Sequence, residues 1–176
     1  MAELVEVRIV ALVVSAIHAY EGRPADGPRS EPESVLREEV RIEAGLGIVG
    51  DRYFNQPVHR NAAVTVFDAD AFEAAGLPPG LDPALTRRNI ILRGYPIDRL
   101  TRRRTPAGER VPGAVFTLDT GSGPIRFQAN RPANPCAWMD VVLGPGAFKG
   151  LRGRGGVRCT PLDSGTLRLG RATLGR

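Results

Sequence analysis

The stretch FTLDTGSGPIRFQ, residues 116–128, gives the strongest indication of the fold. Apolar and polar residues alternate on both sides of Gly121-Ser122-Gly123, and glycine tolerates the positive φ angles that a tight turn requires. The pattern therefore predicts an antiparallel hairpin of two strands, Ala114 to Asp119 and Ile125 to Ala129.

Short β-branched runs separated by glycine and proline continue along the rest of the chain, as is typical of a barrel or sandwich. Further strands are predicted at Val5 to Ser15, Glu38 to Glu43, Ala62 to Phe67, Asn89 to Leu92, Gly156 to Thr160 and Thr166 to Leu169. The last two would form a second antiparallel hairpin, turning near Asp163-Ser164-Gly165. The predicted fold class is mainly β, a β-barrel with a few short helices.

Three short helical segments interrupt these strands. Asp68 is expected to cap a helix from Ala69 to Ala75, and Asp82-Pro83 is expected to open a turn before Thr86. A third helix would start with Asn134 as N-cap and Pro135 as its first residue, because proline suits the first helical position. It would end before Gly144-Pro145.

Length and hydropathy bound the class of protein. The 176 residues fit a single domain over 1–176, since domains usually have about 100–200 residues. Mean hydropathy is -0.15, and no apolar run approaches the roughly 18 residues of a membrane span, so we expect a soluble protein without a membrane partner. The two cysteines do not make a disulfide framework and fit a cytoplasmic location.

The charge of the chain leaves two interpretations open. Net charge is +5, and Lys149 is the only lysine among 24 basic residues, so 23 are arginines. These arginines form either a solvated basic surface or an anion-binding site. A non-catalytic β-barrel module that binds nucleic acid or another anion is therefore the alternative function. The 6 Phe and 3 Tyr residues form no clustered stacking platform, which argues against nucleic acid.

Cys136 is the first candidate for chemistry. As the second residue of a helix that starts at Pro135, its sulfur would lie beside unpaired backbone amides that stabilise a thiolate, and Arg131 is near in sequence. A thiolate can act as a nucleophile or as a ligand for a soft metal. The alternative is a cysteine that only packs. Cys159 shares a face with Val157 in its predicted strand, which indicates a core position.

Two other stretches combine turn residues with charge. In GLGIVGDRYF, residues 45–54, glycines permit tight turns beside Asp51-Arg52, which would hold an anion or satisfy a buried turn. In LTRRNIILRG, residues 85–94, Arg87, Arg88 and Asn89 lead into a strand. Guanidinium groups suit phosphate recognition, whereas the alternative is a charged strand edge that prevents aggregation.

Taken in order, these stretches resemble the MOSC domain, the family named after the C-terminal region of molybdenum cofactor sulfurase, and in particular its stand-alone bacterial members. The matching elements are a Gly-Asp-Arg at Gly50 to Arg52, an Arg-Arg-Asn-Ile at Arg87 to Ile90, a segment at Gly94 to Leu100, and Pro135-Cys136. The resemblance extends from about Val5 to Leu169. It implies a β-barrel similar to the barrel domain of pyruvate kinase.

The resemblance also implies roles for individual residues. Cys136 matches the family cysteine that ligates molybdenum or carries sulfur as a persulfide. Residues of the Arg-Arg-Asn element would hold the phosphate and pterin of the cofactor, while Asp51 and Arg52 would brace the site. The implied cofactor-binding set is Arg87, Arg88, Asn89, Asp51, Arg52, Arg131 and Asn134.

Two activities follow from the resemblance. One is binding of molybdenum cofactor with reduction of N-hydroxylated compounds, a small-molecule substrate class, using electrons from a separate protein. The other is delivery of sulfur to metal-sulfur cofactors, with a separate cysteine desulfurase as partner. The sequence has no flavin, haem or iron-sulfur motif. Pyridoxal phosphate is often attached to the family label as a cofactor. The chain has no obvious lysine to bind it, because its single lysine, Lys149, lies in a glycine-rich loop.

Overall fold

The computed structural model describes residues 3–176, which form thirteen β-strands and three short α-helices. The strands are β1 (Leu4–Val13), β2 (Leu36–Arg37), β3 (Glu39–Glu43), β4 (Gly47–Ile48), β5 (Val64–Asp68), β6 (Ile90–Arg93), β7 (Arg103–Arg104), β8 (Arg110–Val111), β9 (Val115–Asp119), β10 (Ile125–Pro132), β11 (Val157–Pro161), β12 (Gly165–Arg168) and β13 (Gly170–Gly175). The helices are α1 (Ala71–Ala74), α2 (Trp138–Leu143) and α3 (Ala147–Gly150), and 3-10 turns occupy Pro24–Asp26, Pro57–Ala62, Pro83–Thr86 and Ile97–Leu100.

Seven strands close into a barrel. Their order is β1-β13-β9-β10-β11-β5-β6, and β6 pairs again with β1. Only the β5–β6 pair is parallel within the described barrel. Parallel neighbours need a crossover, which here contains α1 and the turn Pro83–Thr86. The mainly β barrel with few short helices that the sequence predicts is confirmed.

The hairpin that identified the fold forms as predicted. In the β9–β10 pair, Phe127 lies opposite Phe116, and Ile125 lies opposite Leu118. All four side chains are buried, and the two phenyl rings stack with centroids 5.4 Å apart in the barrel interior. Cross-strand aromatic pairs of this kind fix the register of a hairpin.

The second predicted hairpin is wrong. β11 pairs with β10 and β5 in the barrel, whereas β12 pairs with β3 in a separate three-stranded sheet, β12-β3-β4. The reason lies at Asp163, whose carboxylate binds the guanidinium of Arg126 at 2.8 Å, while Leu162 donates its N–H to the Arg126 carbonyl. These bonds tie the turn to β10 and lead the chain away from β11.

Strand β13 has no counterpart among the predicted strands, and it closes the barrel. It pairs with β1 over six residue positions and with β9 over three. Ala172 and Leu174 are buried while Arg171 and Thr173 are exposed, so the alternation of a strand is present. The pattern is short and lies at the end of the sequence.

The helix boundaries differ from the predicted ones at two places. Helix α1 begins at Ala71, and Asp68 instead accepts a hydrogen bond from the Asp70 N–H at 3.0 Å. Helix α2 begins at Trp138, with Ala137 as N-cap, so Asn134 and Pro135 precede the helix. The predicted turn after Asp82 forms, because its carboxylate accepts the Ala84 N–H at 2.9 Å.

The chain has two hydrophobic clusters, and the second holds the segment that carries Cys136 against the barrel. One cluster fills the barrel interior, and the other lies outside its wall, where Trp138 and Met139 of α2 pack with Phe67 and Ile91. Trp138 is 6% exposed and its indole stacks on the Tyr20 ring at 5.3 Å. Burial of such a large side chain stabilises the attachment and fixes the start of α2. No helix within residues 3–176 has the length and apolar character needed to cross a membrane.

Candidate functional site

A pocket of about 170 Å³ lies where the chain segments of all three sequence motifs meet. Within residues 3–176 its wall contains no carboxylate, four arginines and one cysteine. The lining residues are His18, Tyr20, Arg52, Tyr53, Thr65, Thr86, Arg87, Arg88, Asn134, Cys136, Met139 and Arg158.

A buried hydrogen bond joins the first motif to the second. Asn89 donates from Nδ2 to Asp51 Oδ2 at 3.0 Å and to the Val13 carbonyl at 3.1 Å. Its Oδ1 accepts the backbone N–H and the hydroxyl of Thr65, both at 3.0 Å. Asn89 is 2% exposed and Asp51 is 5% exposed, so both lie beneath the pocket. All hydrogen-bonding positions of the Asn89 amide are used inside the protein.

Arg88 joins the second motif to the third. Its guanidinium donates to the carbonyls of Gly155 at 3.0 Å, Ala133 at 2.8 Å and Asn134 at 3.3 Å. These carbonyls belong to the segment before Cys136 and to the approach to β11. Arg88 therefore holds the Pro-Cys segment to the barrel through neutral acceptors and keeps its full positive charge available to the pocket.

Cys136 is exposed and free, and it stands two residues before α2. Its carbonyl accepts the Met139 N–H at 2.9 Å, which makes a turn ahead of the helix. The prediction that Cys136 occupies the second helical position is therefore wrong, and α2 is a six-residue helix. What surrounds the sulfur is the arginine-lined wall of the pocket.

Two of the four pocket arginines have carboxylate partners. Arg87 pairs with Glu31 and donates to the Ser15 hydroxyl at 2.7 Å, while Arg52 lies 3.6 Å from Asp51. Arg52 also stacks over the ring of Tyr53, with its guanidinium carbon 4.6 Å from the centroid. The Arg52 Nε is buried without a hydrogen-bond partner in the described part of the chain.

The other two arginines, Arg88 and Arg158, form no ion pair with any carboxylate of residues 3–176. Burial and then repulsion by Arg158 lower the pKa of Arg88 to about 10. Burial and then repulsion by Arg131 lower the pKa of Arg158. Arg131 and Arg158 are cross-strand partners in the β10–β11 pair, an arrangement that is unfavourable for like charges.

His18 and Tyr20 are further titratable groups that line the pocket, and burial disfavours the charged form of each. Burial, followed by the charge of Arg52, lowers the pKa of His18, whose Nε2 lies 3.1 Å from the Tyr53 hydroxyl. Burial raises the pKa of Tyr20 to about 12. The positive charge of the wall therefore comes from the arginines, and a thiolate or another anion is its natural complement.

The structure thus sorts the residues that the sequence singled out. Arg52, Arg87, Arg88, Asn134 and Cys136 lie in the pocket wall. Asp51 and Asn89 lie under it, and Arg131 is exposed outside it, next to Arg158.

Sequence reasoning missed Arg158, His18, Tyr20 and Tyr53 as lining residues. The outward orientation of Arg158 could have been predicted from the sequence. Arg158 alternates with the apolar residues Val157 and Cys159 along a strand, so its side chain must face away from the core. The other three come from loops whose course no periodicity predicts.

The residues fit part of a molybdenum cofactor. Cys136 offers a soft ligand, and the arginines suit a phosphate or an oxo group. No three His, Cys, Asp or Glu side chains converge as a metal site within residues 3–176. The pocket volume of about 170 Å³ is below the roughly 300–1,000 Å³ of sites that enclose drug-sized ligands, so a bound pterin would extend outside it.

A second basic cavity lies on the β7–β8 hairpin. It measures about 670 Å³ and is lined by Arg102, Arg103, Arg104, Arg110, Val111 and Pro112. We call this feature the arginine hairpin. It contains no cysteine or histidine, so its chemistry is limited to holding anions.

Comparison with known proteins supports the fold. No protein-family model matches this chain, and no curated protein matches it. The YuaD protein from Bacillus subtilis has a TM-score of 0.66 at 14% identity, over 99% of this chain and 98% of that chain. YiiM from Geobacillus stearothermophilus has a TM-score of 0.56 at 16% identity, over 97% and 75%. A hypothetical protein has a TM-score of 0.56 at 13% identity, over 98% and 69%. The TM-scores show a shared fold, which supports the MOSC-like fold that the motif order predicts, and at identities this low the likeness concerns the fold alone.

Proposed function

We propose that the chain is a MOSC-type sulfur carrier in which Cys136 accepts sulfane sulfur and passes it on. The observation that carries the proposal is an exposed thiol in the wall of a pocket that has four arginines and, within residues 3–176, no carboxylate. The arginines of the wall favour the approach of an anionic group to this thiol. A cytoplasmic location belongs to the proposal, because a reducing compartment keeps cysteine free.

The transfer is a thiolate exchange. The Cys136 thiolate attacks the outer sulfur of a persulfide donor, a bond forms between the two sulfur atoms, and the donor leaves as a thiolate. A cysteine desulfurase is the kind of partner that supplies such a persulfide. The arginines stabilise the negative charge of the product persulfide, and a second exchange with an acceptor thiolate releases the sulfur.

The test is sulfur loading followed by release. Protein treated with an alkyl hydropersulfide and then desalted should yield thiocyanate with cyanide, and Cys136→Ser should yield none. Cys159→Ala is the matched control, because Cys159 is buried in the core, and it should retain the yield of the native protein. An undiminished yield from Cys136→Ser would remove the proposal.

Binding of molybdenum cofactor is the second candidate, and the observation that favours it is the same thiol next to phosphate-binding side chains. Cys136 would ligate the metal, and Arg87 and Arg88 would hold the phosphate. The bound cofactor would supply two-electron chemistry, such as reduction of N-hydroxylated compounds with electrons from a separate protein. Protein purified from a host that makes the cofactor should contain molybdenum, and Cys136→Ser should lose it while Cys159→Ala keeps it.

A further inference from the structure

Arg88 and Arg158 place two positive charges in the pocket wall without a carboxylate partner within residues 3–176. Ten other arginines of the described chain have carboxylate partners, and most of those without one are exposed, whereas Arg88 and Arg158 are partly buried. The charge of Asp98 acts on Arg88 from beyond ion-pair distance, and the Asp98 carboxylate accepts the Gly156 N–H at 2.9 Å. Uncompensated, partly buried like charges are unfavourable, and a bound anion relieves that cost.

Size restricts the anion. A pocket of about 170 Å³ holds about five or six groups of the size of water, each of which takes about 30 Å³. A phosphate-sized or sulfate-sized oxyanion fits entirely, whereas only one end of a peptide or a nucleotide would enter. Two guanidinium groups also match the charge of a small dianion.

The neighbouring cysteine restricts the identity of the anion further. Cys136 lines the same pocket as Arg88 and Arg158, and its side chain is close enough to act on the pKa of both, so a ligand held by the two arginines lies near the cysteine. A dianion that is both an oxyanion and a sulfane-sulfur donor would fit the pocket volume, match the charge of the two arginines and react with the cysteine. Thiosulfate has that composition, with oxygens for the arginines and an outer sulfur for the thiolate.

We propose that Arg88 and Arg158 form an oxyanion subsite next to Cys136, and that thiosulfate is the class of sulfur donor it takes. This inference rests on the proposed role of Cys136 as a sulfur carrier. The Cys136 thiolate attacks the outer sulfur of thiosulfate, the new bond joins Sγ to that sulfur, and the bond to the sulfonyl sulfur breaks. Sulfite leaves with the bonding electron pair, the cysteine persulfide remains, and the thiol proton has gone to solvent.

Arg158 is the residue to vary. Arg88 also holds three backbone carbonyls, so its loss would move the Cys136 segment, whereas Arg158 has no such bonds among residues 3–176. In Arg158→Gln the like-charge contact with Arg131 disappears as well. Without added anion, Arg158→Gln should therefore melt at the same temperature as the native protein or higher. Arg110→Gln, on the arginine hairpin, removes an equal charge from the other basic cavity and is the matched control.

The experiment measures sulfur on Cys136 by peptide mass and sulfite in solution after treatment with thiosulfate. Native protein and Arg110→Gln should gain one sulfur atom at Cys136 and release an equal amount of sulfite. Arg158→Gln should react at least about tenfold more slowly, the loss expected for one charge-assisted hydrogen bond to an anion. Sulfate should raise the melting temperature of native protein and Arg110→Gln by more than that of Arg158→Gln, whose remaining increase is the general stabilising effect of the salt.

A second donor separates the two proposals. An alkyl hydropersulfide carries no oxyanion, so Arg158→Gln should slow its loading of Cys136 much less than it slows loading by thiosulfate, and Arg110→Gln should slow neither. Loading by the hydropersulfide but not by thiosulfate, or equal thiosulfate rates in native protein and Arg158→Gln, overturns the oxyanion subsite and leaves the carrier function standing. No loading of Cys136 by either donor overturns both.

Discussion

The two cysteines of the chain lie in opposite environments, and this difference is the residue-scale basis of the functional proposal. Cys136 is exposed in the wall of the arginine pocket, whereas Cys159 is 0% exposed inside the barrel. Burial raises the pKa of the Cys159 thiol well above its usual range. The core position of Cys159 was predictable, because it alternates with Arg158 along a strand.

Brief treatment of the folded protein with iodoacetamide should therefore modify Cys136 and leave Cys159 unmodified. Both should react in denaturant, because unfolding exposes the second thiol. Mass analysis of the two cysteine peptides makes the measurement within a single sample. Equal modification of Cys159 in the folded protein would contradict its described burial.

Asn89 is a support of the site and not part of its wall. Asn89→Ala removes the buried hydrogen bonds of the Asn89 amide to the Asp51 carboxylate, the Val13 carbonyl and Thr65, and should lower the free energy of unfolding by about 3 kcal/mol. Asn134→Ala is the matched control, because Asn134 is exposed and contributes its backbone carbonyl, so its effect should stay within about 0.5 kcal/mol. Denaturant unfolding measures both. Similar losses in the two variants would contradict this difference.

At the scale of elements, strands were predictable and their partners were not. The hairpin β9–β10 could be predicted because an aromatic alternation and a glycine turn are adjacent in sequence. The partner of β12 depends on the contact between Asp163 and Arg126, which are 37 positions apart. The start of α2 depends on Trp138 packing outside the barrel, and this overrode the local preference of Asn134-Pro135 for a helix start.

Gly155, just before β11, packs closely against the segment that precedes Cys136. A Cβ at Gly155 would lie 2.2 Å from the Ala133 carbonyl oxygen. Gly155→Ala should therefore cost about 2 kcal/mol of stability, as overpacking does, and should slow sulfur loading of Cys136. Gly153 has no atom within 4 Å of such a Cβ, so Gly153→Ala should cost only about 1 kcal/mol for its positive φ and leave loading unchanged. Normal loading by a destabilised Gly155→Ala would contradict the proposed link between this contact and the thiol.

Asp68, at the end of β5, makes stability depend on pH. Burial raises its pKa to about 6 in the folded protein, above its ordinary value of about 3.9 when unfolded. The folded state binds the Asp68 proton more tightly than the unfolded state does. The contribution of this proton to the free energy of unfolding is therefore complete below about pH 4 and is lost as the pH rises through about 6.

Asp68→Asn keeps an oxygen that can accept the Asp70 N–H and removes the buried charge. We therefore compare the difference in melting temperature, Asp68→Asn minus native protein, at two pH values. This difference should be more positive at pH 8 than at pH 4. The comparison of the two proteins at each pH cancels the effect of other titrating groups. A difference that is independent of pH would show that Asp68 does not titrate in this range.

At the scale of the whole molecule, the barrel brings together three motifs that are far apart in sequence. The Asn89–Asp51 hydrogen bond joins the first two, and Arg88 joins the second to the Pro-Cys segment. The order of motifs predicted that these residues share a site. Which of them reach the pocket depends on the long-range pairing of the strands, which local patterns do not contain.

The arginine hairpin is the main basic feature outside the pocket, and it separates the carrier function from the alternative of nucleic-acid binding. We expect no gel shift of a short single-stranded RNA at physiological salt, because no aromatic residue lines this cavity to stack with bases. Binding that falls steeply with salt and is lost in Arg110→Gln would instead favour the alternative.

The most direct test of the central claim is the position of the added sulfur in a protein treated with an alkyl hydropersulfide. Peptide mass analysis should find one additional sulfur atom on the peptide that contains Cys136 and none on the peptide that contains Cys159. Sulfur on Cys159, or on neither peptide, would contradict the assignment of Cys136 as the sulfur-accepting thiol of the arginine pocket.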